Sequence, residues 1–320
     1  MKQIQDKLIK LSKAIGEKLE RDQGNLSLLV FGSVATGCII NRPDLDLLLI
    51  TKKGPTEKEP KNIQEEIIQG TKVQITRITP EQLKKDVNSF LDYRINQVQK
   101  GLIVFDREGL FQKYQELFRK GFEPNKKTLQ RWIRDLKEDE ETIMYPPRED
   151  PYLVFSCNRL ALWSFRTFLI LKQDFFKGPK YLENHIHRHP EISDFFCKAF
   201  ASESIDLDKR VHLKNNIPSL EKDIYLTMVN DLLSDSQELE HHGRILDSKA
   251  CFVEALAYYG LFLQERMGYS NFEELIKNEK PYVLLIKIIF PRINTAALVK
   301  DYVRFNHLVR EVIYKKLSLL

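Results

Sequence analysis

Cysteine, tryptophan, glycine and proline are all scarce in this chain, with 4 Cys, 2 Trp, 13 Gly and 13 Pro in 320 residues. The four cysteines, Cys38, Cys157, Cys197 and Cys251, lie far apart and form neither a CxxC pair nor the Cys/His spacing of a zinc finger. That pattern excludes a disulfide scaffold and predicts reduced packing residues in a cytoplasmic protein. The low glycine and proline content excludes collagenous and low-complexity chains. No apolar run approaches the roughly 18 residues of a membrane span. The nearest, Val283 to Phe290, is short and carries Lys287. The opening Met1-Lys2-Gln3-Ile4-Gln5-Asp6 is charged and amphipathic and lacks the apolar core of a signal peptide. The expectation is a soluble, cytoplasmic protein with no membrane partner.

What the chain does have is ordinary globular material: 42% hydrophobic and 30% charged residues, with a mean hydropathy of −0.36. Its length suits about two domains, each with its own core. The net charge of +5 is unevenly placed, with 21 Lys+Arg against 16 Asp+Glu up to Lys120 and 29 against 29 beyond it. A basic first part beside a neutral second part suits a phosphate-bearing ligand at the amino-terminal end.

Ile4, Leu8, Leu11, Ile15 and Leu19 recur at helical spacing. Leu26 to Phe31 and Leu45 to Ile50 are short apolar runs that read as buried strands. A charged loop from Thr51 to Lys61 follows, and Ile63 to Ile68 is expected to form a short helix. Lys72 to Ile78 alternates with period two, as a half-buried strand does. Thr79-Pro80 opens a helix with proline in its first turn, and Leu102 to Phe105 is a further strand candidate. From about Leu110 helical periodicity takes over, with helices expected around Leu129 to Leu136, Tyr152 to Leu171, Leu220 to Leu239, Ala250 to Glu265 and Ala296 to Leu317. The fold class is therefore α+β: a small mixed-sheet domain over residues 1–120, then an all-helical domain over 121–320.

The chemistry is concentrated between the first two strands. Phe31-Gly32-Ser33-Val34-Ala35-Thr36-Gly37 is followed by Asn41-Arg42-Pro43-Asp44-Leu45-Asp46-Leu47. Gly32 lets a phosphate approach the backbone, Ser33 offers a hydroxyl donor, and a following helix aims its N–H groups at the same anion. Asp44 and Asp46, two apart on a strand, point to one side. Paired carboxylates at a strand start are costly without a cation between them. Mg²⁺, an oxygen-seeking ion usually shared with substrate phosphates, is the natural occupant. A phosphate loop beside a divalent-ion clamp is what nucleotidyl transfer requires. Arg42 is a further candidate for neutralising a triphosphate.

These residues resemble the DNA polymerase β-type nucleotidyltransferase superfamily, whose signature is Gly-Ser, a short helix, then hydrophobic-Asp-hydrophobic-Asp-hydrophobic. The resemblance runs through Gly32-Ser33, Asp44-x-Asp46, the strand Val73 to Pro80 and the closing Gly101 to Gly109. The layout, a minimal nucleotidyltransferase domain followed by helices, is similar to bacterial antibiotic nucleotidyltransferases of the aminoglycoside kind. The resemblance implies transfer of a nucleoside monophosphate from a nucleoside triphosphate, ATP foremost, to a hydroxyl on a small molecule, a tRNA or a protein. A homodimer is compatible with this layout.

The superfamily usually carries a third acidic residue on the strand after the aspartate pair, and here that place falls on Gln74. An amide cannot take a proton near neutral pH and is a poorer metal ligand than a carboxylate. Three readings stay open. Glu149 or Asp150, before the long helix at Tyr152, substitutes; or the acceptor is acidic enough to need no base; or the domain is a non-catalytic nucleotide sensor.

Elsewhere the readings are mainly structural. His185, His187 and His189 alternate, but in a helical neighbourhood such positions diverge, so a polar helix end before Pro190 is expected rather than a metal site. His241-His242 before Gly243 reads as a helix carboxy terminus. Lys177 and Lys180, in an aromatic-flanked turn, are candidates for reaching a nucleotide phosphate. Trp132, Trp163, Phe165 and Phe168 are read as core.

Overall fold

A computed structural model of the chain describes residues 2–37, 44–54, 63–144, 150–175, 178–200, 203, 205–218, 223–270, 272–290 and 295–320. The chain divides into two compact units, Met1–Pro124 and Asn125–Leu320. The first holds a five-stranded mixed sheet with helices and the second is helical, an α+β fold.

In the first unit, helix α1 (Lys2–Leu19) leads into strand β1 (Asn25–Phe31), the short helix α2 (Gly32–Thr36) and strand β2 (Leu45–Thr51). Then come β3 (Ile63–Ile68), β4 (Thr71–Ile78), α3 (Pro80–Asn88), α4 (Asp92–Lys100), β5 (Leu102–Asp106) and α5 (Leu110–Arg119). The sheet order is β3-β4-β2-β1-β5, with β2 and β4 parallel and the other neighbours antiparallel. The central strand β2 is covered on both faces, which is why its sequence is an almost unbroken apolar run. Leu45 and Leu47 to Ile50 are fully buried, and Asp46 is the half-buried interruption. One face packs Leu28, Val30, Leu45, Leu47, Val73 and Ile75 against Leu8, Leu11 and Ile15 of α1.

Residues 63–68 form a strand, not the helix that the sequence predicts. Ile63, Ile67 and Ile68 suit a helix face, but the segment is followed by a two-residue turn, Gln69-Gly70, whose φ values of 52 and 76 degrees are both positive. Such turns join antiparallel strands with matching twist. The turn locks β3 onto β4, and that tertiary pairing overrides the local helical spacing.

Helices α3 and α4 are tied by a buried ion pair. Arg94 Nε donates to Asp86 Oδ2 at 3.0 Å, the two residues being 5% and 6% exposed, and Gln82 Nε2 donates to Asp86 Oδ1 at 2.5 Å. Thr79 caps α3 by accepting from the Gln82 N–H at 3.2 Å, with Pro80 in the first turn.

The second unit comprises α6 (Lys126–Met144), α7 (Asp150–Leu171), α8 (Leu182–Arg188), α9 (Pro190–Phe200), α10 (Arg210–Asn216), α11 (Ile224–His241), α12 (Ile245–Met267), α13 (Phe272–Asn278), α14 (Lys280–Ile289) and α15 (Thr295–Leu317). Helix α15 packs on α6, α7 and α9, and α11 pairs with α12. Stacked and edge-on rings from three helices fill the centre, Phe165 lying 4.5 Å from Phe196 and Phe196 lying 5.7 Å from Phe305. Phe165 and Phe168 are buried as expected, whereas Trp163 is 52% exposed. It stands on the outer side of α7 beneath the Arg166 guanidinium. Two acidic residues cap each other's helices. Asp247 Oδ1 accepts from the Glu183 N–H at 2.8 Å, and Glu183 Oε1 accepts from the Leu246 N–H at 3.1 Å. Among the described residues, no helix is long and apolar enough to cross a membrane.

Candidate functional site

The site forms where β1 ends and β2 begins. In β2 the side chains alternate, so Leu45 and Leu47 enter the core while Asp46 faces the other way. Asp44, just ahead of β2, is on the Asp46 side by the same period of two and has a side chain 46% exposed. In register, Asp46 stands opposite Phe31 on β1 and Gln74 on β4.

The residue after Phe31 is Gly32, which opens α2 with φ of 71 degrees. A Cβ at this position would lie 2.4 Å from Asp46 Oδ2, so only a residue without a side chain lets the strand turn into α2 this close to the carboxylate. Sequence positions 14 apart are thereby brought side by side. Ser33 follows, half-buried in the first turn of α2. Thr36 Oγ1 donates to the Gly32 carbonyl at 3.0 Å, Gln5 Nε2 of α1 donates to the Val34 carbonyl at 2.8 Å, and Gly37 ends α2 in a left-handed conformation. The loop is thus held on both sides.

The same face of the sheet continues outward through β4 and β3. Gln74 pairs in register with Asp46 on one side and Glu65 on the other, and Gln74 Nε2 donates to Glu65 Oε1 at 3.4 Å. Lys72 Nζ stands 3.3 Å from Glu65 Oε1 and 3.9 Å from Asp44 Oδ2. Gln74 thus occupies the strand position beside Asp46, with the carboxylate of Glu65 next in the row. Glu65 was missed in the sequence because residues 63–68 were expected to form a helix. The signal that points to it is the Gln-Gly pair between Ile68 and Thr71, read as a hairpin turn.

The donors suit a hard divalent cation. Asp44 and Asp46 offer carboxylate oxygens on one face, and the bare Gly32 backbone leaves the Asp46 carboxylate uncovered by a side chain at position 32. Among the described residues, no group of three or more His, Cys, Asp or Glu could hold a metal ion. Two carboxylates with the remaining positions filled by phosphate oxygens and water is the usual arrangement for Mg²⁺.

The other sequence candidates lie elsewhere. Arg42 and Glu149, with Cys38 and Lys177, fall outside the described residues. Asp150 is the first residue of α7, and its side chain falls outside the described residues as well. Lys180 belongs to the second unit, where its ammonium meets Asp235 of α11 at 3.2 Å. Burial is the largest single influence and opposes its charge, but the charge and hydrogen bond of Asp235, with Tyr181 and Cys251 beside it, together outweigh burial and hold its pKa above the ordinary lysine value. His185 of α8 and His189 just beyond its end converge on a carboxylate. His185 Nδ1 and His189 Nε2 each lie 3.0 Å from Asp174 Oδ2, and Arg188 Nη1 donates to Oδ1 at 2.6 Å. Burial alone would raise the Asp174 carboxyl, and the bonds and charges of these three side chains bring it below its ordinary range. Cys157 and Cys251 are buried and Cys197 half-buried, all unbridged.

No protein-family profile matches the chain, and no curated protein matches it. Among solved structures, the chain is similar to one described as a nucleotidyltransferase-like protein from Exiguobacterium sibiricum 255-15, at 12% identity over 92% of this chain and 90% of that one, with a TM-score of 0.29. At that degree of superposition, any functional reading stands on the site's own geometry.

Proposed function

We propose that the first unit is the catalytic part of an Mg²⁺-dependent nucleotidyltransferase, which moves a nucleoside monophosphate from a nucleoside triphosphate, ATP foremost, to a hydroxyl acceptor. The acceptor is a small molecule in the preferred form of this reading, with a tRNA or a protein side chain as the other forms. The observation that supports it is the closeness of Gly32 to Asp46, whose Oδ2 lies 2.4 Å from where a Cβ at position 32 would stand, so that the bend after β1 meets one member of the acidic pair. Asp44 and Asp46 would hold the ion. When bound, it neutralises the triphosphate and the charge that gathers on departing pyrophosphate.

The chain's own residues do the rest by positioning. Gly32 lets the phosphate chain come against the backbone, and Ser33 donates its hydroxyl to a phosphate oxygen. Arg42 serves as a further cation for the triphosphate. Glu149 and Asp150 are the sequence-derived candidates for taking the acceptor's proton. The rival reading, a non-catalytic nucleotide sensor, draws on Gln74, an amide at the register position beside Asp46.

Isothermal titration with ATP, with and without Mg²⁺, tests the site. Replacing Asp44 and Asp46 together by alanine is expected to abolish the Mg²⁺-dependent part of binding, and survival of that part would show the ion to be held elsewhere. Pyrophosphate release over a panel of acceptors separates enzyme from sensor, because binding with no turnover favours the sensor.

A further inference from the structure

Transfer to a hydroxyl needs a group to take the hydroxyl's proton, and the two carboxylates committed to a cation are poor acceptors while they hold it. On the outer strands of the Asp46 face, the described side chains in register beyond β2 are Lys72, Gln74, Thr76 and Ile78 on β4 and Glu65 and Ile67 on β3. Lysine as an ammonium, an amide, an alcohol and an alkane cannot take that proton near neutral pH; Glu65 can.

Resting on the reading above, we infer that Glu65 is the proton acceptor of this site, delivered by the β3–β4 hairpin across Gln74. Three observations carry it. Glu65 stands in the same cross-strand row as Asp46 and Gln74. The Gln74 amide donates to its Oε1, so the residue that cannot accept a proton instead positions one that can. Lys72 reaches both Glu65 and Asp44, so one ammonium spans the gap between this carboxylate and the acidic pair.

In the step this assigns, the acceptor's O–H bond breaks and its proton passes to Glu65. The acceptor oxygen bonds to the α-phosphorus of the nucleoside triphosphate, the bond from that phosphorus to the bridging oxygen breaks, and pyrophosphate leaves with the electron pair. Glu65 then returns the proton to solvent. Bulk water is an acceptor always at hand, so a working base gives slow pyrophosphate release even before the biological acceptor is known.

The test uses the full chain with Mg²⁺ and ATP, reading binding by calorimetry and turnover by pyrophosphate release into water and into concentrated glycerol. Glu65→Gln and Glu65→Ala are expected to bind Mg²⁺–ATP within about threefold of the parent while releasing pyrophosphate about 10²-fold or more slowly, the range of a lost general base. Added formate, small enough to enter beside a side chain 41% exposed, is expected to restore part of the rate to Glu65→Ala and none to Asp46→Ala. Unchanged turnover in Glu65→Gln, loss of binding along with turnover, failure of formate to rescue, or no release by the parent protein each overturns the inference. Loss of turnover in Glu149→Gln or Asp150→Asn with Glu65→Gln active assigns the role to those residues instead. If Mg²⁺-dependent binding is absent from the parent or survives in the Asp44, Asp46 double variant, it is the site itself that fails, a result distinct from all of these.

Discussion

Gly32 and Asp46 approach so closely that the smallest possible side chain on the first would press on the carboxylate of the second, 2.4 Å from Oδ2. Two demands meet at Gly32, a positive φ and an empty Cβ position. Gly32→Ala is expected to cost about 1–2 kcal/mol of stability from the left-handed backbone alone. It is also expected to weaken Mg²⁺-dependent ATP binding by about tenfold or more, because Asp46 must rotate away. Thermal melting and calorimetry on the same sample separate the two effects. Binding equal to that of the parent would show that the carboxylate's position does not matter.

The Asp86–Arg94 pair is buried on both sides, and Gln82 and Gln97 complete its hydrogen bonds. Removing one member leaves an uncompensated charge in the interior, so Asp86→Ala is expected to destabilise by about 3–5 kcal/mol in urea unfolding. Replacing both, as Asp86→Leu with Arg94→Met, is expected to recover most of that loss. A double variant as unstable as the single one would mean that the charges themselves are needed.

Asp247 is fully buried, and burial outweighs the Glu183 N–H and the Arg244 guanidinium, raising its carboxyl to about 6. The folded protein therefore holds this proton at pH values where the unfolded chain has released it. Its contribution to stability is complete below the unfolded carboxyl value and is lost as pH rises through about 6, up to about 3 kcal/mol in all. Asp247→Asn, which still accepts from the Glu183 N–H, is expected to remove that part of the slope. Melting temperatures between pH 4 and pH 7.5 measure it, and an unchanged slope in the variant would refute the assignment.

Gln69 adopts a φ of 52 degrees at the β3–β4 turn, a conformation that asparagine takes more readily. Gln69→Asn is expected to stabilise the first unit by up to ~1 kcal/mol, read from urea midpoints at constant m-value. A lower midpoint would show that the Gln69 side chain contributes something the backbone argument omits.

Much of the site was legible in the sequence because period two does most of the work. Once Leu45 to Ile50 is a strand, Asp46 has to face opposite to Leu45 and Leu47. The α+β order followed from the change of periodicity near Leu110 for the same reason. What was hidden depends on which strands become neighbours. Ile63, Ile67 and Ile68 fit a helix face as well as an edge strand, and pairing with β4 decides between them. With β3 unseen, Glu65 had no visible relation to Gln74 or Asp46. The closeness of Gly32 to Asp46 also comes from register, since the intervening positions carry no mark of it. Trp163 was read inward because its helix is apolar on most sides, and such a helix gives little indication of which aromatic is left outside.

The bend at Gln69-Gly70 also sets how the gene can drift. Because neighbours along a strand look in opposite directions, a one-codon change there that is taken up as a slip of the pairing, not as a longer loop, turns the whole of Ile63 to Ile68 over, sending Glu65 to the far side and Glu66 into its place or beyond reach. A change of two codons keeps the parity. Slips of the pairing at this bend that keep Glu65 on the Gln74 side of the sheet are therefore expected in even steps, while odd changes are expected to be absorbed in the loop.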